Sequence, residues 1–176
     1  KPSELDRDWF SNQKKISTDK PKVLYLGRIK VEKGLYSLLK LFSEIKKDYK
    51  LSIVGGSYNF KKTSKISFFR QVSKKKELIK LYNSHNIFIL PSYTEGAPKV
   101  ILESLSRLRP VIVFNEIRHV KLNFSGIFIC DRKSYNLEKK IDYILQNYKK
   151  IQKKMKTNNL PTKNIFQKKL IKILDE

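Results

Sequence analysis

The sequence predicts an α/β fold, a Rossmann-like open parallel sheet with helices on both faces. Three observations predict it. Short apolar runs alternate along the chain with segments whose apolar residues recur at helical spacing. The run Lys22-Val-Leu-Tyr-Leu26 passes through a glycine-bearing basic loop into Leu35, Leu38, Leu39, Phe42 and Ile45, an order of strand, loop and helix. Further on, Ile87-Phe-Ile-Leu90 breaks at Pro91-Ser92 before an amphipathic helical start. That pattern describes the carboxyl end of a parallel strand, where open α/β sheets hold their ligands.

Taken in order, residues 1–20 are polar and unpatterned and read as a linker or N-terminal extension. Residues 21–150 form the Rossmann-like domain. Its expected elements are strand Val23–Leu26, helix Leu35–Lys47, strand Leu51–Val54, a short strand Ile66–Phe69, helix Lys75–Asn83, strand Ile87–Leu90, helix Val100–Arg107, strand Val111–Phe114 and strand Gly126–Ile129. Leu137, Ile141, Ile144, Leu145 and Tyr148 mark a further helix, and Ile165, Phe166, Leu170, Ile173 and Leu174 another, with Asn158, Asn159 and Pro161 breaking between them. Residues 151–176 read as a C-terminal helical tail. No internal repeat is present.

Two loops carry the candidate chemistry. In Glu95-Gly-Ala-Pro-Lys-Val-Ile-Leu-Glu103, seven residues separate two carboxylates. A helix beginning near Pro98 presents unpaired first-turn N–H groups and the positive end of its dipole, which suits a phosphate or a developing anion. Glu103 is then roughly 7.5 Å further along the axis, where a ribose diol beside a diphosphate would lie. Glu95, ahead of the helix, can accept hydrogen bonds from sugar hydroxyls. The plainer alternative is an acid favouring the helix dipole and an unrelated solvated glutamate. In the upstream loop Gly27-Arg28-Ile-Lys-Val-Glu-Lys33-Gly34, Arg28 offers a planar fork and Lys33 a point charge, a candidate clamp on a diphosphate. There the alternative is ordinary solvated loop charge.

These residues, with Lys50-Leu-Ser-Ile-Val-Gly55-Gly56 and Pro91-Ser92, resemble the family 4 (group 1) glycosyltransferases. The resemblance runs from about Val23 to about Ile129 and is to the C-terminal, donor-binding half of such an enzyme. It implies the GT-B arrangement of two Rossmann-like domains facing across a cleft. It also implies transfer of a sugar from a nucleotide diphosphate with retention of configuration, without a cofactor or a metal. By the same resemblance Arg28 and Lys33 neutralise the departing diphosphate, and Gly27 and Gly55 belong to the donor-binding set. Glu95, Gly96, Ala97 and Pro98 hold the donor sugar and its nearby phosphate, and Glu103 takes the ribose. The base lies near Gln71 and Val72, before the helix bearing Glu77-Leu78 and Leu81-Tyr82. The chain departs from the family pattern in the short stretch between Gly56 and Phe68, in Arg70, and in Leu108, where a glycine is common before Lys/Arg-Pro-Val.

A length of 176 residues gives room for one α/β domain but not two. The expected partner is therefore an N-terminal acceptor-binding domain or a separate subunit, and the opening Lys1 suggests an excised fragment. The expected function is the donor half of a retaining glycosyltransferase, weakly active or inactive alone. It would act on a glycan or lipid-linked acceptor in polysaccharide or cell-envelope biosynthesis. The rival readings are a non-catalytic nucleotide-binding subunit, a phosphorylase-like or synthase-like member of the fold, and a basic nucleic-acid-binding module.

The formal charge of +23 attracts anionic partners of any kind. The lysines are scattered through every helix, which a compositional bias explains. Beyond that bias, an anionic membrane surface is favoured over nucleic acid, with a cytoplasmic location on the inner face of a membrane. Cys130 is the sole cysteine, so no disulfide framework forms within the chain. Asp6-Arg-Asp8 resembles the acidic metal motif of the other glycosyltransferase fold class but reads as linker charge. His85 reads as structural, and His119 lies close enough to a strand end to touch a ligand. Asn123-Phe124-Ser125 fits a glycosylation pattern but carries no weight without a secretory signal. No apolar run reaches the length of a membrane span.

Overall fold

The computed structural model describes residues 5–13, 16–56, 63–121 and 123–162. Six strands form one sheet: β1 (Lys22–Leu26), β2 (Lys50–Val54), β3 (Ile66–Phe69), β4 (Ile87–Leu90), β5 (Val111–Phe114) and β6 (Ile127–Cys130). Their order is β3-β2-β1-β4-β5-β6, and every neighbouring pair is parallel. This is the Rossmann-like sheet expected from the alternation of elements. The central strands are apolar throughout because both of their faces are covered: all four residues of β4 and all four of β5 are buried.

Among the described residues, five helices accompany the sheet: α1 (Leu35–Glu44), α2 (Lys75–Asn83), α3 (Lys99–Ser106), α4 (Ser134–Gln146) and α5 (Tyr148–Met155). From the centre, β1 leads through α1 outward to β2, while β4 leads through α3 outward to β5 in the opposite direction. Right-handed crossovers running in opposite directions place α1 and α3 on opposite faces. On one face α4 lies beside the end of α1, where the Lys47 ammonium meets Asp142 at 2.7 Å, Tyr49 donates to Asp142, and the Lys46 amide donates to Glu138 at 2.8 Å. On the other, Tyr82 of α2 is fully buried among Trp9, Phe88 and α3, with ring centroids 5.9 Å and 5.8 Å from the first two.

Several boundaries differ from the sequence expectation. The expected helix Leu35–Lys47 ends at Glu44, because Ile45 turns extended and buries its side chain. The periodicity through Tyr148 resolves into two helices, α4 and α5, broken at Asn147. Between β5 and β6 the chain forms a 3-10 segment, Asn115–Lys121. The second C-terminal helix, expected around Ile165–Leu174, lies outside the described residues.

The described part of the N-terminal segment is packed against the domain, despite its polar reading. Leu5 and Trp9 are buried, and Leu5 bridges to Thr162. The fully buried Arg107 guanidinium donates to the carbonyls of Trp9, Ser11 and Asn12 at 2.9, 2.7 and 2.8 Å and to Asn83 Oδ1. Polar residues mask the two anchors in the sequence, so the segment shows no period. Asp6 and Asp8 both pair with Lys75, and no cluster of metal-ligating side chains occurs among the described residues.

Candidate active site

The strand order reverses between β1 and β4, and a sheet of this kind opens a crevice at that point. The loop after β1 carries Gly27 to Gly34, and the loop after β4 carries Pro91 to Pro98. The two are distant in sequence and adjacent in space. Gly34 is where they touch: its φ is +66°, and a Cβ added there would stand 1.9 Å from the carbonyl oxygen of Pro91. A hydrogen bond from the Tyr93 amide to the Glu32 carbonyl, 2.9 Å, joins the same two loops.

Side chains complete the junction. Lys33 Nζ donates to Glu95 Oε1 at 2.7 Å across 62 residues of sequence, and Ser92 Oγ donates to the same oxygen at 2.7 Å. The Lys33 and Glu95 side chains are mostly shielded, 22% and 11% exposed, so the pair is weakly screened. The His119 ring, from the segment after β5, bonds the Glu95 carbonyl through Nε2 at 2.8 Å. His119 thus holds the acidic loop by its backbone. His85 lies elsewhere, buried against α2 with Nδ1 on the Leu81 carbonyl, and burial lowers its pKa.

Arg132 is a residue that sequence reasoning missed. Its guanidinium lies between the rings of Tyr93 and Phe114, 4.2 and 4.3 Å from their centroids, and donates to the Pro91 carbonyl at 3.0 Å and to Ser37 Oγ at 3.2 Å. Glu116 pairs with it at 2.7 Å, and that hydrogen bond holds the Glu116 carboxyl below its usual range. Arg132 therefore ties the ends of β4, β5 and β6 and α1 into one rim. The only sequence signal was a lone arginine at the carboxyl end of a strand.

Beside this junction lies a cleft of about 460 Å³ whose wall includes Gly27, Arg28, Gly55, Gln71, Val72 and Glu103. Six of the residues singled out from the sequence thus share one hollow. The Tyr25 hydroxyl donates to the Arg28 carbonyl at 3.0 Å, and a Cβ at Gly27 would meet that hydroxyl at 2.7 Å, so the β1 loop is shaped by a tyrosine behind it. Lys33, Glu95, Gly96, Ala97 and Pro98 are not among the residues that wall this cleft. Pro98 precedes α3 with no side-chain cap; the Ile101 amide donates to the Pro98 carbonyl at 3.1 Å, which leaves the Lys99 and Val100 N–H groups for other acceptors. A side chain at Gly96 would meet nothing within 4 Å, so the fold itself does not require glycine there.

Glu103 sits one turn inside α3 and is only 6% exposed. Its carboxylate accepts from the Tyr82 hydroxyl at 3.2 Å and faces Lys99 Nζ at 3.7 Å. Burial pushes its pKa up despite both partners. A carboxyl raised in the folded state binds its proton more tightly there than in the unfolded chain, so ionising it costs stability as pH rises. Glu103→Gln is therefore expected to raise the unfolding midpoint at pH 7, with the gain fading as pH falls toward the unfolded carboxyl range. Thermal unfolding from pH 4 to 8 checks this; a variant less stable at pH 7 refutes the strain.

The departures noted in the sequence also find their places. Leu108 has φ +56°, a conformation glycine adopts without strain, and its side chain is buried. Arg70 is exposed at the end of β3, and residues 57–62, in the shortened stretch, lie outside the described residues. Cys130 is buried, and burial raises its thiol to about 11.

The family described as Glycosyl transferases group 1 matches residues 6–160. An uncharacterized glycosyltransferase of Haemophilus influenzae is 26% identical over 139 residues, covering 71% of this chain and 39% of the relative. The N,N'-diacetylbacillosaminyl-diphospho-undecaprenol alpha-1,3-N-acetylgalactosaminyltransferase of Campylobacter jejuni is 23% identical over 145 residues, covering 77% of this chain and 39% of the relative. The chain thus spans well under half the length of either. Among solved structures, Anabaena HepE in complex with UDP and glucose superposes with a TM-score of 0.72 at 14% identity, covering 98% of this chain and 56% of that one.

Proposed function

The chain belongs to the group 1 glycosyl transferases, and from that membership we propose that it is the donor-binding half of a retaining glycosyltransferase, its cleft receiving a nucleotide-diphosphate sugar. Two observations support this reading: Arg28 and Glu103 share the wall of one cleft, and the Lys33–Glu95 pair joins the loops after β1 and β4. Glu103 accepts hydrogen bonds from the ribose hydroxyls, and the base lies toward Gln71 and Val72. Arg28, Lys33 and the first turn of α3 face the diphosphate. Glu95 and Gly96 hold the sugar.

Cleaving the sugar–phosphate bond develops charge on the diphosphate, and cations fixed beforehand stabilise it without reorganising. Lys33 has three donors; Glu95 takes one, and two remain for phosphate oxygens. The acceptor is a glycan or a lipid-linked saccharide of the cell envelope, as in the Campylobacter relative, whose name describes an undecaprenol-linked acceptor. The reaction runs on the cytoplasmic face of a membrane, and an N-terminal half, in the same protein or a separate subunit, binds the acceptor.

Calorimetric titration of the chain with UDP, GDP and ADP tests the reading. One of the three binds, its monophosphate binds at least about tenfold more weakly, and transfer is absent until the acceptor half is supplied. A chain that binds none of them, or that transfers sugar unaided, overturns it. A non-catalytic subunit would show itself by tolerating Glu95→Ala with no loss of sugar-nucleotide affinity.

A further inference from the structure

From Tyr143 to Leu174 the sequence contains nine lysines and no acid. The fold gathers the described ones. In α5, Tyr148, Ile151 and Met155 face inward, and Lys149, Lys150, Lys153, Lys154 and, just past the helix, Lys156 are all exposed. The helix cannot roll to hide them, because Met155 is seated on Gly126, whose φ is +97° and where an added Cβ would lie 2.6 Å from Met155 Cγ. Among the described residues no ion pair holds any of the five. The nearest acids in sequence, Glu138 and Asp142, are engaged with Lys46, Lys47 and Tyr49 at the end of α1.

Beside the lysines lies a hollow of about 350 Å³ of mixed character, lined by Phe124, Ile127, Phe128 and Tyr143 together with Lys121, Lys150 and Lys154. It sits at β6, the edge strand of the sheet. Tyr135 and Tyr143 stand out from α4, 63% and 53% exposed. The α5 lysines and the hollow they line with Tyr143, Phe124 and Phe128 match an anionic bilayer surface, with cations at the headgroups and aromatic rings at the interface. A nucleic-acid strand would need open ring faces to stack on. Here one contact already occupies each ring: Lys139 lies over Tyr135 at 4.3 Å, and Tyr143 meets Phe128 edge to face at 6.1 Å, which leaves less stacking surface than two open faces.

We propose that the face formed by α5, the end of α4 and the edge strand β6 docks on an anionic membrane surface. The docking is independent of the sugar-transfer reading, since vesicle binding requires no nucleotide. The test is co-sedimentation of the chain with vesicles of phosphatidylcholine, with and without phosphatidylglycerol. A variant with Lys149, Lys150, Lys153 and Lys154 replaced by Gln is compared with one in which exposed lysines elsewhere, Lys40, Lys46, Lys76 and Lys80, are replaced by Gln.

The unaltered chain binds the anionic vesicles and not the neutral ones. The α5 variant loses about a hundredfold or more in partitioning, and the control, with the same charge removed, loses several-fold at most. Both keep the nucleotide affinity of the parent, which separates this docking from the donor site. An α5 variant that binds as well as the parent, a control that falls as far, or a loss seen only for an oligonucleotide probe overturns the proposal.

Discussion

On the proposed donor-site role, Arg28→Ala is expected to lower the affinity for a nucleoside diphosphate by about ten- to a hundredfold. In a protein joined to the proposed acceptor half, the expected loss in the rate of sugar transfer is about a hundred- to a thousandfold. Arg28 is exposed in the wall of the cleft, and its loop is shaped through its backbone, by the Tyr25 hydroxyl on the Arg28 carbonyl and by the Gly27 amide on the Val54 carbonyl. The truncation therefore removes a donor fork and leaves the fold in place, with an unfolding midpoint close to that of the parent. Arg28→Lys keeps the charge but not the paired donors and falls between. Calorimetry with the diphosphate and its monophosphate reads the effect: on the proposed clamp role the diphosphate is expected to lose the most, having more anionic oxygens for the fork to pair with. Equal affinity in Arg28→Ala and the parent would remove Arg28 from the site.

Gly34→Ala is the most damaging small substitution expected in the chain. Alanine in the left-handed region costs about 1–2 kcal/mol by itself. The added methyl would also stand 1.9 Å from a backbone carbonyl oxygen, that of Pro91, and no rotamer can relieve such a contact. The loops must separate, which breaks the Tyr93–Glu32 hydrogen bond and pulls Lys33 from Glu95. A total loss of about 3 kcal/mol or more follows, read as a lower urea midpoint with an unchanged slope, together with loss of diphosphate binding. Gly96→Ala is the matched control, because its methyl points into open space and leaves the midpoint unchanged. Should Gly34→Ala unfold and bind like the parent, the two loops do not meet as described.

Strands were legible because burial on both faces demands unbroken apolar runs, as in Ile87–Leu90 and Val111–Phe114, and nothing else in this lysine-rich chain has that composition. The acid pair Glu95 and Glu103 and the cationic loop were legible through their spacing around strand ends. Arg132, Arg107 and Tyr82 were not legible as a framework, since each acts on carbonyls or a carboxylate of elements far away in sequence. Leu5 and Trp9 were hidden for a related reason: two anchors in a polar segment make no period, although both are buried.

By itself, the sequence determined the element order, the carboxyl-end loops and the residue types set on them, because these follow from local periodicity and turn chemistry. Only the tertiary structure decided which loops meet. Strand order places β1 beside β4, so Lys33 reaches Glu95 and the Gly34 backbone touches that of Pro91. It also decided which lysines share a face, since those of α5 become one surface only when Met155 is seated against Gly126. Contacts of this kind depend on distance in space, which a pattern along the chain does not encode.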